Sequence, residues 1–331
     1  MVEEKCSTEL IAKVVQEYTG VTRKHAIGEI IRTLKLDSEN VIASFGEDAA
    51  LIKNGNDGLL LAADGIWSML MEADPYWAGF CAVLVNVHDI AAMGGRPLAM
   101  VDILSVKDGE VGNEVLRGMA DASRKFNVPV VGGHLHPDSP FSAVDVSIMG
   151  TVKISDVILS STAAKGDHVI AAIDLNGRVH PSCALNWDSA TLRSAEEVRA
   201  QIEVMHTLGE KHLLTAGKDI SNPGIIGTLG MLLETSGVGA EIDLSRIPRP
   251  DLAKLGISFS QWVRMYPGMG FIMTAKAENT AEVIEMFKAV GMTAADIGCV
   301  NESRSLTIRY NSEESSVFDL NKDSITGIFK E

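Results

Sequence analysis

Apolar residues at Leu10, Ile11, Val14 and Val15 recur at helical spacing, which predicts an amphipathic helix over residues 7–18. Three apolar runs of strand length follow at 41–45, 49–52 and 59–63. Between the last two, Asn54-Gly55-Asn56-Asp57-Gly58 is a hairpin signal. Asp74 ahead of Pro75 combines an N-cap with a residue whose φ is preset for the first turn. A long helix is therefore expected from there toward Met93, stopped by Gly94-Gly95 and blocked by Pro97.

The pattern then changes period several times. A strand is expected at 98–106, a helix at 110–126, a short buried strand at 128–131 and an alternating strand at 143–152. Lys165-Gly166-Asp167 is a turn before a strand at 168–173. The second half predicts helices near 195–215, 225–236 and 280–290, with strands at 271–274, 297–300 and 305–308. Helices and strands mixed in both halves imply an α/β class with α+β layers. A boundary near 155 divides the chain into units of residues 1–155 and 156–331, each long enough to bury its own core.

Composition narrows the function classes. Of 331 residues, 46% are hydrophobic and 22% charged, the balance of a globular chain. No apolar run approaches the roughly 20 residues that span a bilayer, and Met1-Val2-Glu3-Glu4-Lys5 lacks the layout of a signal peptide. No membrane partner and a cytoplasmic location are expected. Cys6, Cys81, Cys183 and Cys299 are far apart and form no metal pair, so they are read as buried, inert thiols. A net charge of −15 repels nucleic-acid backbones but admits a nucleotide whose phosphates meet carboxylates through magnesium.

Four carboxylates stand where that chemistry needs them. Asp48 lies in Phe45-Gly46-Glu47-Asp48-Ala49-Ala50, Asp64 ends the run Leu59–Ala63, and Asp219 follows Gly217-Lys218. Asp89 sits inside the apolar stretch 83–92, with Asn86 three residues earlier on the same helical face. A carboxylate in an apolar segment is costly unless it is paired, hydrogen-bonded or bound to a metal. Taken singly, each Asp also suits a helix cap or a turn. Gly132-Gly133-His134-Leu135-His136 offers alternating imidazoles, but the spacing supplies no third zinc ligand such as His88. The favoured reading is that the glycines allow close backbone approach and His134 faces a ligand or phosphate. There is no GxxxxGK[ST] and no GxGxxG after a strand, so an ATP site here must use metal and carboxylates.

These residues resemble the superfamily of aminoimidazole ribonucleotide (AIR) synthetase, thiamine-monophosphate kinase, selenophosphate synthetase and a hydrogenase-maturation ATPase. Gly46-Glu47-Asp48-Ala49-Ala50 is similar to the family's GDDAA, and Ala63-Asp64-Gly65 to its VDG turn. Asn86-Val87-His88-Asp89-Ile90-Ala91-Ala92-Met93-Gly94 matches N-x-x-D-[IL]-x-A-M-G, the most specific piece. Val131-Gly132-Gly133-His134 and Lys218-Asp219-Ile220-Ser221 resemble V-G-G-[DEH] and D-[IV]-S, and Gly268-Met269-Gly270 and 297–300 resemble C-terminal motifs. The chain looks most like the AIR synthase-related proteins of methanogenic archaea.

The resemblance implies a two-domain PurM-like fold whose N-terminal domains pair into a β-barrel spanning a homodimer. It implies ATP held near that interface through Mg2+, with Asp48, Asp64, Asp89 and Asp219 as metal ligands. Asp64, His134 and Asp219 would be catalytic, and Asn86, Gly94, Gly132 and Gly133 would line the cofactor. The sequence departs from the pattern at Glu47, at His134 where relatives carry an acid, and at Asn222 in place of a second Asp. The expected function is ATP- and magnesium-dependent phosphorylation of a small metabolite, as a kinase or a ligase-like synthetase. The alternative is a nucleotide-binding regulatory protein with little turnover.

Overall fold

The computed structural model describes residues 7–328. Its first sheet contains β1 (Val41–Ala43), β2 (Ala50–Asn54), β3 (Asp57–Gly65), β4 (Arg96–Ser105), β5 (Val130–His136) and β6 (Ala143–Lys153). Their order is β1-β2-β3-β6-β4-β5, antiparallel except where β4 runs parallel to β5. Asn54 pairs with Asp57, so the predicted hairpin turns through Gly55, whose φ of 65° favours glycine. Along β6 the expected alternation buries Val144, Val146 and Ile148 on one face and exposes Asp145 and Met149 on the other.

The buried face lies under the Pro75–Ala92 helix, which Asp74 caps by accepting from the Trp77 N–H at 3.0 Å. This helix is buried on almost every side, because it is sandwiched between the first sheet and the second unit. Leu84 and Ile90 share a core with Phe271, Val283 and Phe287 from beyond residue 155. The Gly109–Phe126 helix packs beside it, close enough that a Cβ on Gly79 would stand 2.0 Å from Val115 O, and one on Gly118 2.0 Å from Tyr76 O.

The second unit contains β7 (His168–Ile173), the hairpin β8 (Arg178–His180) and β9 (Cys183–Asp188), and β10 (Ala216–Asp219). β11 (Gly239–Asp243), β12 (Gly270–Ala275), β13 (Thr293–Asn301), β14 (Ser305–Tyr310) and β15 (Glu313–Asp319) complete it. Seven of these form one sheet in the order β10-β12-β7-β13-β11-β14-β15. The Ala195–Glu210, Gly224–Ser236 and Ala277–Ala289 helices pack on it.

Two expectations change, one for a strand and one for the cysteines. The segment at 128–131 is not a buried strand. It enters β5, the sheet's edge, where Val131 and every later residue are exposed. The N-terminal helix, Thr8–Gln16, packs on the second unit. Ile11, Ala12 and Val15 join the core of the second unit, and Gln16 Nε2 donates to Val317 O at 2.7 Å. Among the described residues the first sheet is open, with β1 and β5 as its edges, and a barrel across two copies is not shown by one chain. Of the cysteines, Cys81 is buried but Cys183 is half-buried and Cys299 exposed, and Cys6 lies outside the described residues.

Candidate functional site

Three of the four aspartates converge from separate parts of the chain. Asp48 lies on the loop entering β2, Asp89 on the last turn but one of the Pro75–Ala92 helix, and Asp219 at the end of β10. One carboxylate oxygen from each lies within 4.8 Å of the other two, the only such group of acids, histidines or cysteines among the described residues. Asp64 ends β3 on the same face as buried Leu60 and Ala62, and reaches the cleft beside this cluster. The backbone of Asp219 donates to Asp48 Oδ2 at 3.4 Å, tying the two units together at the site.

Burial first, and then the charges of neighbouring aspartates, push the carboxyls of Asp89 and Asp219 far above the ordinary range. Asp64 is pushed up too, by crowding and by Asp48, against the pull of Lys24. Its carboxyl opens to solvent at the mouth of the cleft, so the push there is weaker than at Asp89. Lys218 is buried with its ammonium bonded to Asp48 Oδ1. Burial alone would lower its pKa, but Asp48, Asp219 and Glu47 overcome that and hold it charged. One ammonium does not balance the carboxylates, and the donor set is wholly of hard oxygen, the set that suits magnesium.

The remaining predicted residues have other surroundings. Asn86 is fully buried, its Nδ2 donates to Ala82 O at 2.8 Å, and its Oδ1 has no partner. Gly94 caps the helix at φ 72°, and its carbonyl meets His206 Nδ1 at 2.7 Å. Gly132, Gly133 and His134 lie on β5. In register, His134 pairs with Ile103, Ile103 with Asp145, and Asp145 with Gly65. Three strand spacings thus separate His134 from the end of β3, about 14 Å. Within one chain the imidazole is not part of the carboxylate cluster. His88 packs on Met269 and Phe271, and burial lowers its pKa to about 3, so it is a neutral core residue.

Four contributors, Lys218, Glu47, Arg23 and Lys24, are not among the site residues expected from sequence. Lys218 was part of a motif but not singled out; a lysine directly beside a candidate ligand was the available signal. Glu47, in the place of an aspartate, accepts from the Ser160 N–H and hydroxyl at 2.5 and 2.8 Å, which anchors the Asp48 loop to the second unit. Arg23 and Lys24 line a cleft of about 530 Å3 together with Asp64, Asp145 and Asp219.

The chain matches the AIR synthase related protein N-terminal domain over residues 46–152 and the corresponding C-terminal domain over 157–311. It is 45% identical to an uncharacterized protein of Methanocaldococcus jannaschii, over 96% of this chain and 99% of that one. It is 31% identical to the thiamine-monophosphate kinase of Pyrococcus abyssi, over 80% and 86% of the two. In structure it is similar to Thermotoga maritima PurL complexed with ATP, at TM-score 0.76 and 18% identity, covering 95% of this chain and 52% of that one. Among the described residues no helix is long and apolar enough to cross a membrane.

Proposed function

This chain belongs to the AIR synthase related family, and we propose that it is an ATP- and magnesium-dependent enzyme that phosphorylates a small metabolite. The reaction is either a kinase transfer or a ligase-like synthesis through a phosphorylated intermediate. The observation that carries the reading is the meeting of Asp48, Asp89 and Asp219 within 4.8 Å beside a cleft. Relatives with printed functions support it: a thiamine-monophosphate kinase, and structures of PurL with ATP and of ThiL with AMPPCP and TMP.

Asp48, Asp89 and Asp219 would hold magnesium, with Asp64 at the cleft side of the cluster. A bound ion supplies neutralisation of phosphate charge, the main demand of phosphoryl transfer. Lys218 bonds Asp48 and pulls its carboxyl down against the larger upward push of burial, and Lys24 sets a positive charge against Asp64 and Asp219. The chain's part is therefore to bind and align, which accounts for most of catalysis in this chemistry. Asp64 and Asp219 are the members of the expected ligand set that line the cleft an acceptor would enter.

The outer face of the first sheet exposes Leu61, Val101, Ile103 and Met149, and its β5 edge adds exposed Val131 and Leu135. A monomer rarely leaves so many apolar side chains together, so a homodimer through this face belongs to the proposal. Only such pairing would carry His134, Gly132 and Gly133 to a carboxylate cluster, that of the second copy. A monomeric mass by light scattering at micromolar protein removes this element.

A second reading, a nucleotide-binding regulator with little turnover, rests on His134 standing outside the cluster and on neutral Asn222 in the cleft. Phosphate release in the presence of cell metabolites separates the two: an enzyme releases or transfers phosphate, and a regulator binds nucleotide without doing so.

A further inference from the structure

Residues 18–28 precede both stretches matched to the family, 46–152 and 157–311. They cross the mouth of the cleft as a strap clamped at both ends by glycine. A Cβ on Gly20 would lie 2.3 Å from Asn222 O, and one on Gly28 2.2 Å from Gly327 O. Gly28 N also donates to Thr326 O at 2.8 Å. Backbone against backbone leaves the strap little room to move, and it presents Arg23 and Lys24 inward.

Neither cation has a carboxylate within 4.0 Å, and neither side chain donates a hydrogen bond, among the described residues. Their fields divide the cleft. Lys24 acts on Asp64 and Asp219 at the carboxylate end, and Arg23 on Tyr18 and Tyr266 at the other. Beyond Arg23 opens a second cavity of about 360 Å3, sharing Arg23, Trp67, Leu70 and Tyr266 with the first and continuing past Met69 and Leu185. That volume suits a small molecule. The guanidinium carbon stands 5.9 Å from the Trp67 ring centroid, within cation–π range, and among the described residues its N–H groups have no acceptor, which leaves them for paired hydrogen bonds.

We infer that Arg23 is a specificity-determining residue for the acceptor: it holds a phosphate or carboxylate borne by a substrate whose flat apolar body fills the chamber of Trp67, Leu70 and Tyr266. In a cleft otherwise lined by Asp64, Asp145 and Asp219, an anion has its favourable seat at the strap. The inference deepens the enzyme reading given above and rests on it for the word acceptor.

The test uses the full chain without nucleotide or metal, so that its failure is separate from failure of magnesium-dependent ATP binding. Phenyl phosphate is the probe, titrated by calorimetry. Saturable binding is expected, with phenol and inorganic phosphate each at least about tenfold weaker because each supplies half of the contacts. Arg23→Gln should weaken phenyl phosphate about tenfold, the factor lost with one charge-assisted pair, and Arg23→Lys should restore part of it. Trp67→Ala should weaken it without changing inorganic phosphate binding. No saturable binding, or equal affinity in Arg23→Gln, overturns the inference. So does competitive displacement by an ATP analogue with magnesium, which would make the chamber the seat of the nucleotide base.

Discussion

Replacing Asp89 by Asn should make the metal-free protein more stable and the magnesium-loaded protein less so. Burial and three neighbouring aspartates hold the Asp89 carboxyl far above its usual range, so the bare cluster strains the fold. The strain has a ceiling, because a carboxyl escapes it by taking a proton. At pH 7 that escape costs an ordinary carboxyl about 4 kcal/mol, so the gain in Asp89→Asn lies between zero and that figure. The sign with pH follows. The native state binds the proton that the unfolded state has released, so wild type loses stability as pH rises above the usual carboxylate range. The gap between variant and wild type should therefore close as pH falls toward about 4. Magnesium reverses the order. At a hundred times its dissociation constant an ion specific for the native state adds about 2.7 kcal/mol, and Asp89→Asn should forfeit most of that. Urea denaturation of both proteins, in EDTA and in magnesium, reads all four values. A variant less stable than wild type in EDTA, or an equal magnesium gain in both, would refute the reasoning.

Lys218→Met strips the buried Asp48 of its only buried cation and should cost about 3 kcal/mol in EDTA by urea denaturation, with magnesium recovering part. His134→Ala should leave magnesium affinity unchanged by calorimetry, because magnesium takes oxygen and not imidazole ligands, and should lower turnover more than nucleotide binding if pairing sets the imidazole at the second copy's cluster. Gly118→Ala drives a Cβ against Tyr76 O and should cost about 3 kcal/mol by the same denaturation assay, with magnesium affinity intact.

Periodicity and punctuation made much of the fold legible. The Asp74-Pro75 start, the Gly55 hairpin and the alternation of β6 depend on neighbours in sequence, and such signals survive folding. What was missed depends on distant partners. β10 is four residues, Ala-Gly-Lys-Asp, with no apolar pattern, and it becomes a strand only through pairing with β12. The apolar face of the Thr8–Gln16 helix was plain, but nothing local says that its partner is β15, about 300 residues away. Residues 128–131 read as a short buried strand because their valines suit burial, yet β5, which they enter, lies at the sheet's edge and is exposed from Val131 onward.

The candidate site divides in the same way. Asp89 was conspicuous because a charge within an apolar helix needs a reason. Asp48 and Asp219 also suited a cap or turn when taken singly, and the fold brings both to Asp89. Arg23 carried no signal, standing in the short basic run Arg23-Lys24-His25 until the strap set it across the cleft.

The central claim is that the cluster of Asp48, Asp89 and Asp219 holds nucleotide phosphates through magnesium. Calorimetric titration of the intact protein with a non-hydrolysable ATP analogue, in magnesium and again in EDTA, tests it most directly. The account predicts saturable binding in magnesium that falls at least about a hundredfold in EDTA, the scale of removing the ion between carboxylates and phosphates. Equal affinity in the two buffers would contradict it.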